Sequence, residues 1–83
     1  MLNRDLKGQR VAGLFSGDPY TGVVIESVVE ETGYNHIIRL DRRIVKYYDN
    51  QAQTKRNNKW VLEHVNFHVG EPSKGHELYI LED

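Results

Sequence analysis

Cysteine is absent from the 83-residue chain, which excludes disulfides, thiolate zinc sites and thiol nucleophiles, and fits a reducing compartment. No apolar run approaches the ~20 residues of a membrane span, and Met1-Leu2-Asn3-Arg4-Asp5 lacks the apolar stretch of a secretory signal. A soluble, cytoplasmic protein is therefore expected. There is no Gly-x-Ser-x-Gly elbow, no G-x-x-x-x-G-K-[ST] phosphate loop, no internal repeat and no low-complexity tract. The acids (Asp18, Glu26, Glu30, Asp41, Glu63, Glu77) are scattered, so no enzyme activity is expected and no cofactor is implied.

Metal binding is not expected either, although the chain has four histidines. His64 and His68 are four apart, a helical ligand spacing, but they fall in a stretch that reads as β-strand. There they would lie about 13 Å apart at ~3.3 Å per residue, too far to share an ion. Val65 follows His64, so the segment is not H-E-x-x-H.

A chain of this length forms one domain over residues 1–83 and buries only about 60% of its unfolded surface, so its core is modest. β-branched residues are concentrated in Val23, Val24, Ile25, Val28 and Val29, which disfavours helix and suits a pleated surface. The pattern predicts strands at about 9–15, 20–30, 36–41, 43–48, 60–69 and 76–82. Ser16-Gly17-Asp18-Pro19 reads as the first turn, and Glu31-Thr32-Gly33-Tyr34-Asn35 as the second, with Gly33 at positive φ. Polar Asp49 to Asn58 reads as a loop, or as a short helix over Asn50–Lys55. Ile37-Ile38 and Ile44-Val45 are apolar on both faces, which a curled strand needs and a flat one-sided sheet does not. The expected core is Val11, Val23, Ile25, Val28, Ile38, Leu40, Val61 and Ile80.

The run from Gly8 to Val24, GQRVAGLFSGDPYTGVV, resembles the opening hairpin of Tudor-like and related SH3-like small barrels. A glycine-led first strand ends in an aromatic, a short acidic turn follows, and a second aromatic opens a β-branched strand. The resemblance covers residues 8–41. It implies an all-β fold, a small SH3-like (Tudor-like) antiparallel barrel of five or six short strands that binds peptides, methylated side chains or nucleic acid. Phe15 and Tyr20 fall where such domains place the first two walls of an aromatic cage. Leu40-Asp41-Arg42-Arg43 stands where a further wall and a Tyr-Gly-Asn type of turn are expected. Two walls do not enclose a methylated cation, so neither methyl-lysine nor methyl-arginine recognition is expected.

The net charge of −1 is unevenly placed. Residues 42–60 carry Arg42, Arg43, Lys46, Lys55, Arg56 and Lys59 against Asp49, a local +5, whereas residues 61–83 carry Lys74 against five acids, a local −4. Clustered cations raise the local potential whatever the net charge, although lysines on an edge strand also simply deter sheet-to-sheet pairing. Two binding functions follow. In the first and preferred one, the domain is a non-enzymatic protein-interaction module that docks on a larger partner. In the alternative, the basic residues contact phosphates while Tyr47, Tyr48 or Trp60 stack on bases, making it a nucleic-acid-binding accessory module.

Overall fold

Alternation and turn chemistry produce six antiparallel strands in the computed structural model, which describes residues 4–31, 33–45, 53–67 and 77–81. They are β1 (Arg10–Phe15), β2 (Asp18–Glu30), β3 (Gly33–Leu40), β4 (Gln53–Arg56), β5 (Lys59–Phe67) and β6 (Glu77–Ile80). They form one sheet in the order β4-β5-β3-β2-β1-β6. The chain is all-β, and no ladder joins β4 to β6 among the described residues, so the sheet is not closed. A flat sheet would be only about 10 Å through. The molecule measures 30 × 27 × 26 Å, so the sheet curls around its own core.

Two tight turns start this arrangement. Ser16 and Gly17 (φ 51° and 80°) join β1 to β2, and Asn57 and Asn58 (φ 49° and 62°) join β4 to β5. Consecutive positive φ values fit the type I′ hairpin turn, whose twist matches that of the strands. The first turn is thus shorter than expected: Asp18 pairs with Phe15 and Pro19 with Leu14 inside the ladder. Pro19 fits there because β2 begins pairing with β3 only at Gly22, leaving its missing N–H opposite no ladder. Gly33 has φ 137° as expected from its turn position, but it already belongs to β3, paired with Glu30.

A bulge in β2 decides which apolar residues are internal. Val24 pairs with Ile38 and Glu26 with Ile37, so Ile25 is the extra residue and the inward parity switches there. Tyr20 and Val24 point inward before the bulge. After it Ser27 does: its Oγ accepts from the Leu6 N–H at 3.0 Å and lies 2.8 Å from Nδ1 of the fully buried His36. Ile25 and Val28, expected in the core, are exposed as a result, and Val23 and Ile80 are only half-buried. Val11, Ile38, Leu40 and Val61 are buried as expected. Leu6, Val11, Tyr20, Val24, Ile38, Leu40, Ile44, Leu62 and Leu78 make the central cluster, with Phe15, Trp60 and Ile80 packed against it.

The segment after β3 differs most from expectation. No strand forms over residues 43–45 of the expected 43–48; the remainder lies outside the described residues. The strand is instead Gln53–Arg56, inside the run read as a loop or short helix. A polar edge strand needs no apolar face because its backbone pairs with β5 alone, so its sequence looks like a loop. Ile37 and Ile38 are both buried, but of Ile44 and Val45 only Ile44 is.

Candidate functional site: a cleft beside the Arg42–Arg43 turn

Two anchors shape the turn that carries the arginines. The first is Asp41, the residue after β3. Its N–H donates to the Thr21 carbonyl at 2.9 Å, and its carboxylate accepts from the Thr21 hydroxyl at 2.6 Å and from both terminal nitrogens of Arg10. The hydrogen bonds from Arg10, then from Thr21, hold the Asp41 carboxyl down at about 2, so it is ionised at neutral pH. The second anchor is Ile44, buried in the core. Its N–H donates to Gln53 Oε1 and its carbonyl accepts from Gln53 Nε2, both at 2.7 Å. That clamp explains why residues 43–45 are not a strand: the buried Gln53 amide occupies the groups of Ile44 that a ladder would use.

Arg42 and Arg43, between these anchors, are exposed. The Arg43 guanidinium lies 5.0 Å from the centroid of the Trp60 ring, and the Lys55 ammonium 5.7 Å from it. Lys55 reaches the ring because the Asn57-Asn58 turn sets Lys55 opposite Trp60 in the ladder. Trp60 is half-buried against the core, so its indole joins the interior to two surface cations.

A cleft of about 330 Å³ opens beside this turn. Pro19, Tyr20 and Thr21 of β2 form one wall and residues 42–45 the other. Tyr20 is 6% exposed, and burial raises its hydroxyl pKa above the ordinary value, so it stays protonated. The arrangement offers guanidinium donors beside apolar surface, suited to holding an anionic group next to a hydrophobic one.

The residues singled out in the sequence are therefore partly assembled. Tyr20, Arg42 and Arg43 share the cleft, and Lys55 and Trp60 join it through Arg43. Phe15 ends β1, half-buried against the core. Arg56 and Lys59 face each other across the β4–β5 turn, both exposed. Lys46, Tyr47 and Tyr48 lie outside the described residues, as does His68; His64 lies in β5 as expected. Pro19, Thr21, Ile44, Val45 and the clamp residue Gln53 carried no functional signal in the sequence. The Asn57-Asn58 pair carried a turn signal, since asparagine tolerates the positive φ of a hairpin turn. Among the described residues no three His, Asp or Glu side chains converge on a possible metal position, and no helix is long and apolar enough to cross a membrane.

Comparison with known proteins gives no match to a family model, to a curated protein or to a solved structure.

Proposed function

We propose that this chain is a non-enzymatic binding module, a small barrel of the SH3-like (Tudor-like) kind, that docks on a protein partner through the face bearing Arg42 and Arg43. The curled antiparallel sheet and the hairpin that packs Phe15 against the core and Tyr20 within it support the fold reading. The observation that carries the functional reading is the engagement of the Trp60 ring by Arg43 and Lys55. Single-strand nucleic-acid recognition stacks bases on open ring faces. Here Trp60 is already in contact with two cations, and Tyr20 is buried in the core. What the cleft presents outward is guanidinium and aliphatic surface, which suits a polypeptide better than a base.

The nucleic-acid reading keeps one observation in its favour. Arg42, Lys55, Arg56 and Lys59 are all exposed on the Arg42–Arg43 turn and the β4–β5 hairpin, a basic surface able to meet phosphates. Capture from nuclease-treated lysate of the native host, comparing the wild-type chain with Arg42→Glu, separates the two. A nuclease-resistant protein partner lost in the variant supports docking at this face. Loss of every partner on nuclease treatment overturns the protein reading.

A further inference from the structure

Resting on that reading, we propose that the cleft between Pro19 and Val45 takes a short acidic peptide segment of a partner protein, one in which a carboxylate side chain sits next to an apolar side chain. Its volume of about 330 Å³ accommodates a few side chains and not a folded element. It lies at the low end of the roughly 300–1,000 Å³ usual for ligand pockets. The walls divide into two chemistries. Pro19 and Val45 are exposed aliphatic surface, Val45 at 63%, and Ile44 lies between Val45 and the arginines on the same wall. Arg42 supplies the charge.

Charge complementarity selects the occupant. Arg42 forms no ion pair among the described residues. The neighbouring carboxylate of Asp41 is already taken up by Arg10 and Thr21, so it does not neutralise Arg42. Arg43 rests on Trp60, which limits its rotamers before any ligand arrives. Carboxylate matches the guanidinium fork of Arg42, and the aliphatic walls then bury the apolar side chain beside it. A phosphodiester strand would satisfy the arginines but leave Val45 and Pro19 facing a charged backbone.

The test uses the full chain, isotopically labelled, titrated at low salt with three probes: a short glutamate–leucine peptide, its glutamine–leucine counterpart and an oligothymidylate. The expected result is saturable amide shifts at Thr21, Ile44 and Val45 with the glutamate–leucine peptide. Affinity should be roughly tenfold weaker for the glutamine–leucine peptide and for Arg42→Ala, the size of one charge-assisted contact. Val45→Asp places a negative charge on an exposed wall and should abolish binding while the amide spectrum stays dispersed. Equal affinity for the two peptides overturns the proposal, as does the absence of shifts at these amides, or tighter binding of the oligothymidylate in the same cleft. If the peptides fail while a nuclease-resistant partner is still lost with Arg42→Glu, the protein-docking reading stands and only the acidic–apolar occupant falls.

Discussion

Gln53 holds Ile44 by both of its backbone groups, with hydrogen bonds of 2.7 Å in each direction. One buried side chain thus takes the place of a ladder pair and fixes the wall of the cleft. Gln53→Leu keeps the volume but leaves a buried N–H and a buried carbonyl without partners. Unsatisfied groups of this kind cost about 1–3 kcal/mol each, so the variant should lose about 2–6 kcal/mol in urea unfolding. The Ile44 amide should also exchange faster. A variant as stable as wild type, with the Ile44 amide still protected, would show that the clamp is not formed in solution.

Arg43 should report on the same site through the only tryptophan in the chain. Arg43→Ala removes the guanidinium 5.0 Å from the Trp60 centroid and opens the ring to water. We expect a red-shifted emission and a stability loss of about 0.5–1 kcal/mol, the usual size of an exposed cation–π contact. An unchanged emission maximum counts against the contact.

Two glycines are predicted to resist substitution for different reasons. Gly33 has φ 137°, a region closed to β-branched residues, so Gly33→Val should destabilise by more than about 1 kcal/mol. At Gly13 the obstacle is space: a Cβ there would meet the Glu77 carbonyl oxygen at 2.0 Å and the Tyr20 hydroxyl at 2.8 Å. Gly13→Ala should therefore force β1 away from β6 and cost about 1–3 kcal/mol, the range for overpacking. Thermal melts of the two variants check both; a melting temperature equal to wild type in either would contradict the corresponding reason.

Stability should fall with acid through Asp41. Its carboxyl titrates at about 2 in the folded chain against an ordinary 3.8, so the unfolded chain binds the proton more readily. The stabilisation is complete above the unfolded value and disappears as pH drops from about 4 to about 2. Because Arg10 and Asp41 are 43% and 32% exposed, solvent screening limits the contribution to about 1 kcal/mol. Asp41→Asn should be less stable than wild type by that amount near neutrality, and the difference should shrink towards zero in the acid range. A difference independent of pH would assign the effect to shape and not to charge.

Any nucleic-acid binding by the basic surface should be electrostatic alone. At low salt the log–log slope of affinity against salt should lessen by roughly 0.7–0.9 for each phosphate contact removed, for example by Arg42→Ala. Trp60 emission should not be quenched by an oligonucleotide, since Arg43 and Lys55 already lie over the ring. Strong quenching would indicate that a base displaces them.

Strand chemistry at Val23-Val24-Ile25, the positive φ of Gly33 and the exposed arginines at 42 and 43 were all legible in the residues, because each depends on local sterics or on charge. The choice of Val24 over Ile25 for the core was not. A consecutive apolar run satisfies period-2 alternation in either parity, and only pairing with Ile38 and the bulge at Ile25 selects one. Likewise Gln53-Thr54-Lys55-Arg56 has the composition of a loop, and β5 alone makes it a strand. The cleft depends on contacts remote in sequence: Arg10 and Thr21 with Asp41, Ile44 with Gln53, Arg43 with Trp60. Composition and local pattern thus determined the all-β class and the charged segment by themselves. Register and long-range hydrogen bonding decided which side chains meet, since that choice is made by partners that no local window of residues contains.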